Sequence, residues 1–387
     1  MLRYLLPALL GIALPAQAAA PPDNASAAPE YPSASDVPVV LLVDLGSGQT
    51  LFRRNETQRF LPASVAKAMT ALVAFELIEQ GRLREDRRIA VRPETIAIWR
   101  GRGTTMPLSA TDRPTVNELL YGVTIVSAND GAVVLAEGAA GNVAAWCGLM
   151  NRTAQRIGMT QSHFATPNGW PDGGRTYVSA RDLAILSDEL IGKHPKLYRR
   201  YFGRTEMTWN GVTQKNHDPT LGIVSGADGI KTGHTYEAGF NFLGSAQRGE
   251  RRLVLVIAGT KHSHSRANAA RELLEWGFAA WDSRPLVGTG QRVGEAQVQG
   301  GDVRHVALIA PRSFALALPK GQYPNVTTRI RYNGPLKAPI AKGATVAGLE
   351  VEIDGQPPHT LPLVAASGVG TAGPLDRLVN GLAGLFS

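Results

Sequence analysis

Cysteine is almost absent from this chain: Cys147 stands alone among 387 residues. One thiol excludes an intrachain disulfide framework, and its position far along the chain excludes an N-terminal lipid-acceptor role. Beside Trp146, in a helix-like stretch, it reads as core packing. The N-terminal apolar run at 5–14 is too short to cross a bilayer. With Arg3 before it and Ala16-Gln17-Ala18 after it, it reads as a secretory signal over residues 1–18. Residues 19–36, rich in Ala, Pro and Ser, read as a flexible leader. Basic runs are missing too. Lys+Arg 40 against Asp+Glu 32 leaves a formal charge of +8, yet no nucleic-acid motif accompanies it. The excess suits attraction to an anionic wall or membrane surface, and no nucleic-acid partner is expected. Metal-ligand spacing is confined to His262-x-His264, which has no third ligand nearby in sequence. Neither a metal nor a cofactor is predicted.

What is present is an ordered trio: Ser64-Val65-Ala66-Lys67, Ser127-Ala128-Asn129 and Lys231-Thr232-Gly233. A serine hydroxyl is a poor nucleophile at neutral pH unless a base lies within hydrogen-bond reach. Residues i and i+3 of a helix share a face, so Lys67 points the same way as Ser64. Pro62 suits a helix start, where unpaired backbone N–H groups can hold a developing oxyanion. Residues 66–78 are largely apolar, which predicts a buried helix with Gly81 at its C-terminal cap. Burial would lower the proton affinity of Lys67 and free a neutral amine to act as base.

Ser127 and Asn129 follow a helix that opens with the capping box Thr115-x-x-Glu118, and a second apolar helix begins near Asp130. They therefore lie in a helix–helix connection. Lys231-Thr232-Gly233 sits in a strand-like run. Strands at 239–246 and 253–258 follow, joined by a charged turn at 247–251, and then a helix at 266–281. This order predicts an α/β (α+β) fold, an antiparallel sheet packed with helices. Gly233 would let a loop or ligand approach the strand closely.

On these motifs the chain resembles the low-molecular-mass penicillin-binding proteins, serine-type D-alanyl-D-alanine carboxypeptidases. Pro62-Ala63-Ser64, Asn129-Asp130, Ala136-Glu137, Phe164-x-x-Pro167-Asn168-Gly169, Asp228-Gly229-Ile230, Ala238-Gly239 and Trp276-Gly277-Phe278 extend the match. Val65-Ala66 and Ala128 depart from the usual pattern without removing a reacting group. The resemblance implies a β-lactamase/transpeptidase-like domain over residues 37–284 and a small β-rich domain over 285–372. It implies that Ser64 attacks the carbonyl between the last two D-alanines of a peptidoglycan stem peptide. Lys67 would take its proton, and Ser127 would relay a proton to the departing amine. Water would then hydrolyse the acyl-enzyme. The N–H groups of Ser64 and His234 would form the oxyanion hole, and Asn129 would orient the substrate amide. Lys231, Thr232, Gly233 and Thr235 would line the strand that reads the terminal carboxylate, together with the two-donor fork of Arg266. β-Lactams would be covalent inhibitors.

A DD-endopeptidase cutting cross-links would share the trio, and a non-catalytic wall-binding protein with a relic site is the alternative that an intact Ser64, Lys67, Ser127, Asn129 and Lys231 oppose. A class A β-lactamase deacylates with a glutamate between the second and third motifs. Residues 149–188 contain none, and Glu189 falls in an apolar helix-like run. Farther on, 326–332 and 349–354 alternate apolar and polar residues as half-buried strands do. In the tail, 373–387, Leu375, Leu378, Val379, Leu382, Leu385 and Phe386 fall at helical spacing, with Arg377 the sole cation. A peripheral membrane helix and a docked tail both fit that pattern. The expected location is the periplasm, with peripheral attachment to the outer face of the inner membrane.

Overall fold

The computed structural model describes residues 36–373. The signal, the leader up to residue 35 and the tail from 374 lie outside the described residues. The chain opens on a hairpin, β1 (Val39–Asp44) and β2 (Gln49–Arg54). Asp44 Oδ1 closes its turn by accepting from the N–H groups of Gly46 and Ser47 at 2.9 and 3.1 Å. A 3-10 turn, Ala63–Ala66, leads into α1 (Lys67–Glu79). A helical layer follows: α2 (Pro93–Trp99), α3 (Val116–Thr124), α4 (Asn129–Ala140), α5 (Val143–Ile157), α6 (Ala180–Lys193) and α7 (Pro195–Tyr201). The hairpin β3 (Glu206–Trp209) and β4 (Val212–Lys215) turns through Asn210 and Gly211, both at positive φ, the geometry that matches strand twist. The chain then runs through β5 (Ala227–Thr235), β6 (Gly239–Arg248), β7 (Arg251–Thr260) and α8 (Ser263–Ala279).

These strands make one five-stranded antiparallel sheet in the order β2-β1-β7-β6-β5. Both faces are covered, and the period-2 alternation of strand side chains divides them. Val40, Leu42, Leu253, Leu255 and Ile257 pack against Ala270, Leu273 and Leu274 of α8. Val39, Leu41, Val254 and Val256 join the larger core with Met69, Leu72 and Phe75 of α1 and Leu183 and Leu186 of α6. Helix α1 is therefore enclosed almost all round, as its composition predicts. Gly81 at φ +69 ends it, and its N–H bonds back to the Ile78 carbonyl at 3.0 Å. The capping box of Thr115 and Glu118 is formed at the start of α3.

Several boundaries differ from the sequence expectation. The turn after β6 shrinks to residues 249–250, because Gln247 and Arg248 pair with Arg252 and Arg251 in the ladder. Helix α8 starts at Ser263 and ends at Ala279 rather than spanning 266–281. Trp281 instead opens β8 (Trp281–Val287), with its ring 6.0 Å from that of Trp276.

The remaining strands are β9 (Arg292–Gln299), β10 (His305–Ile309), β11 (Phe314–Pro319), β12 (Val326–Arg331), β13 (Leu336–Lys337), β14 (Thr345–Ile353) and β15 (His359–Ala365). Six form a sheet in the order β12-β14-β15-β10-β9-β13, while β11 pairs with β8. Leu349, Val351 and Ile353 of β14 alternate into this second core as predicted. β12 lies at the sheet edge and presents only Val326 and Ile330 to that core. The first hairpin anchors this region: Ala315 N–H bonds to the Gly46 carbonyl at 3.0 Å and Ala317 N–H to Gln49 Oε1 at 2.6 Å.

Candidate active site

Ser64 occupies the 3-10 turn with Pro62 as its cap, so the predicted helix start is a tighter turn feeding α1. The i, i+3 relation survives: Lys67 Nζ lies 2.7 Å from Ser64 Oγ. Two close backbone approaches fix the turn. A Cβ at Gly233 on β5 would meet the Pro62 carbonyl at 2.5 Å and Ser64 N at 3.1 Å. A Cβ at Gly169, where φ is +71, would lie 1.8 Å from the Ala63 carbonyl oxygen. Only glycine fits either contact. Ala63 itself sits at φ +48, and Ser127 at φ +67. Left-handed backbone at non-glycine residues costs on the order of 1–2 kcal/mol each and gathers at functional sites.

Lys67 is wholly enclosed. Its Nζ lies 2.7 Å from Asn129 Oδ1 and 2.9 Å from the Asn168 carbonyl oxygen. Both partners only accept, because Asn129 Nδ2 donates to the Arg102 carbonyl at 3.0 Å and so fixes its amide orientation. A neutral amine has two N–H donors and one lone pair. With Asn129 and Asn168 taking two donors, a neutral amine would turn its lone pair to the Ser64 hydroxyl, whereas an ammonium would donate its third N–H to Ser64 Oγ. Burial, then the charge of Lys231, holds the Lys67 pKa well below that of an ordinary lysine, against a smaller opposing pull from Asp130. Burial and the neighbouring Lys231 charge favour the neutral amine.

The second motif is carried by the α3–α4 connection. Asn129 N–H bonds to the Thr104 carbonyl at 2.8 Å, and Asp130 Oδ1 accepts from Met106 N–H at 2.8 Å. These bonds clamp the loop around 102–108 to the start of α4 and hold Asn129 beside Lys67, with buried Ser127 two residues before it. Sequence reasoning gave Asn168 no role. Its string, Phe164-x-x-Pro167-Asn168-Gly169, was the available signal, but spacing alone does not reveal that a backbone carbonyl reaches Lys67. Thr70 Oγ1 donates to the neighbouring Pro167 carbonyl at 2.6 Å and pins this strap to α1.

The third motif lies on β5, an edge strand turned to the cleft. Lys231 is 3% exposed, and its Nζ donates to the Thr232 carbonyl at 3.0 Å. Burial lowers its pKa to about 7, with Asp218 opposing and Arg266 reinforcing the shift. Arg266, in the first turn of α8, is buried, and its Nε has no hydrogen-bond partner. The exposed His234 ring stacks on Phe240 at 3.9 Å. Thr235 borders a cavity of about 280 Å³ shared with Pro62, Ala63, Gly169, Trp170 and Glu237. Among these residues the structure brings Ser64, Lys67 and Asn129 into direct contact and sets Gly233 of β5 against the backbone of the Ser64 turn. Glu189 lies instead on α6, where its carboxylate pairs with Arg156 at 3.2 Å.

A buried lysine poised on a serine at the mouth of an antiparallel sheet defines the serine–lysine class of acyl-transferring hydrolases. Comparison with known proteins narrows the class. The family model described as D-alanyl-D-alanine carboxypeptidase matches residues 24–262. That of the penicillin-binding protein 5 C-terminal domain matches residues 281–371. The chain belongs to the D-alanyl-D-alanine carboxypeptidase family of serine peptidases. It is 35% identical to D-alanyl-D-alanine carboxypeptidase DacD of Salmonella typhimurium, over 92% of each chain. It is 31% identical to the Escherichia coli carboxypeptidase DacA, covering 85% of this chain and 82% of that one. The solved structure of penicillin binding protein 5 from Haemophilus influenzae superposes with a TM-score of 0.72 at 31% identity. That match covers 87% of this chain and 98% of the other.

Proposed function

We propose that the chain removes the terminal D-alanine from peptidoglycan stem pentapeptides through an acyl-enzyme on Ser64. The observation that carries this reading is the buried Lys67 amine, held 2.7 Å from Ser64 Oγ by two acceptors on its other side. Lys67 takes the serine proton as the hydroxyl attacks the penultimate carbonyl, and the N–H groups of Ser64 and His234 receive the oxyanion. Ser127 passes a proton to the departing D-alanine amine, Asn129 holds the substrate amide, and water then releases the shortened peptide. A β-lactam enters the same step and leaves an acyl group that resists water. Lys231, Thr232, Thr235 and Arg266 read the free terminal carboxylate. The unpartnered Nε of buried Arg266 supports this, because a buried donor without an acceptor is costly until a ligand supplies one.

Substrate charge provides the test. Amidating the terminal carboxylate should lower kcat/KM of the wild type roughly ten- to a hundredfold, the worth of a charge-assisted hydrogen bond. Arg266→Ala should erase most of that difference. An unchanged preference for the free acid in this variant would remove Arg266 from the subsite.

The reading places the protein in the bacterial envelope once the signal at 1–18 is removed, with the leader at 19–36, the catalytic domain at 37–284 and the β-rich domain at 285–372 as a spacer. The apolar spacing in 373–387 supports a peripheral helix at the outer face of the inner membrane, held mainly by apolar area. Deleting residues 374–387 should shift the protein from the membrane pellet to the soluble periplasm without loss of activity on soluble peptide. A full-length protein already soluble in that fractionation contradicts the anchor.

A further inference from the structure

We infer that the cavity beside the Ser64 turn is the subsite for the residue preceding the two D-alanines, and that it selects a diamino acid, with the methylene stem inside and the terminal amine at Glu237. The inference rests on the carboxypeptidase reading of Ser64 and extends it one residue along the substrate.

The cavity, of about 280 Å³, lies between residues 61–63, the strap at 169–174 and the end of β5. It touches Ala63, next to the nucleophile, and Thr235, next to the His234 N–H assigned to the oxyanion. A substrate carbonyl bonded to Ser64 fixes where the rest of the peptide can go. An extended chain rises about 3.3 Å per residue, so the residue before the acylating D-alanine lies within reach of this cavity. β5 is also an edge strand, the kind of element against which an extended peptide docks.

The walls are apolar and already in place. Residues 61–63 form one side and Trp170 and Pro171 the other. The Trp170 ring is braced edge-on by Trp99, with centroids 5.4 Å apart, and its backbone N–H bonds to Asn168 Oδ1 at 3.1 Å. Thr176 Oγ1 donates to Asp172 Oδ2 at 2.5 Å and accepts from Ala165 N–H at 3.0 Å, which ties down the far end of the strap. A linear side chain of five heavy atoms needs on the order of 150 Å³, at ~30 Å³ per water-sized group, and so has room. No lysine, arginine or histidine lines the cavity; its charged residues are Asp172 and Glu237. Thr176 engages both oxygens of Asp172, through its N–H at 3.1 Å and its hydroxyl. Glu237 is exposed and has no hydrogen bond or ion pair with the described residues. A free carboxylate at the rim of an apolar slot complements a side chain that is apolar along its length and positive at its end.

The test is kcat/KM for D-alanine release from Nα-acetylated tripeptides ending in D-Ala-D-Ala, with lysine, Nε-acetyl-lysine, norleucine or alanine as the first residue. Norleucine should exceed alanine at least about tenfold, because three more methylenes leave water. Lysine should exceed both norleucine and Nε-acetyl-lysine roughly three- to fivefold at low salt, the scale of an exposed ion pair, and this margin should shrink as salt is added. Glu237→Gln should bring the lysine-to-norleucine ratio to about one, and Glu237→Lys should bring it below one. Trp170→Ala should reduce the advantage of norleucine over alanine. Equal rates for norleucine and alanine in the wild type overturn the subsite. A lysine margin that is absent, or that persists in Glu237→Gln, overturns the charge selection at Glu237. The wild-type series decides the first two points even if a variant does not fold. Release of D-alanine from none of the four peptides would defeat the carboxypeptidase reading instead. Acylation rates with a penicillin whose side chain ends in a primary amine, against its N-acetylated form, then test the subsite by itself: a faster amine form that loses its lead in Glu237→Gln supports it, and equal rates overturn it.

Discussion

Lys67→Arg should slow acylation by penicillin roughly a hundred- to ten-thousandfold, the usual contribution of a positioned general base. The substitution keeps a cation at the site but removes the proton acceptor, because a guanidinium does not deprotonate in a protein. The wild-type ammonium is unusually easy to deprotonate, since it is wholly enclosed and repelled by Lys231. Its rate should therefore fall as pH drops through the lowered Lys67 pKa, while the arginine variant should show no such limb. Stopped-flow acylation with a fluorescent penicillin, on protein whose folding is verified by circular dichroism, measures both quantities. A near-normal rate in Lys67→Arg would make the lysine an electrostatic or structural residue.

Much of this site was legible in the sequence because its chemistry depends on side-chain types at short spacing. Ser64 and Lys67 share a face whether the segment is α or 3-10, so the change at residues 63–66 left their contact intact. Strand-like runs pointed to β6 and β7, period-2 alternation to β12 and β14, and the apolar run after Lys67 to a buried α1. What escaped was carried by the backbone or by distant loops. The Asn168 carbonyl reaches Lys67 from a strap about a hundred residues away, pinned by Thr70. Strand ends were underestimated where ladder bonds recruit charged residues, as with Arg248 and Arg251. Trp281 closes the helix expected over 266–281, although the chain there has already entered β8.

The central claim is that one hydroxyl, on Ser64, carries the acyl group. Its place supports the claim: the turn is pressed between Gly169 and Gly233, where any side chain would collide with the Ala63 or Pro62 carbonyl. Hydrolysis of a D-Ala-D-Ala peptide by Ser64→Ala should fall by roughly 10⁴-fold or more, as when the nucleophile of other serine hydrolases is removed. The most direct measurement is intact-mass analysis and peptide mapping of the purified protein after exposure to penicillin, beside Ser64→Ala treated identically. The account predicts a single adduct on the wild type, on the peptide that contains Ser64, and none on the variant. An adduct that maps elsewhere, or that persists in Ser64→Ala, would contradict it.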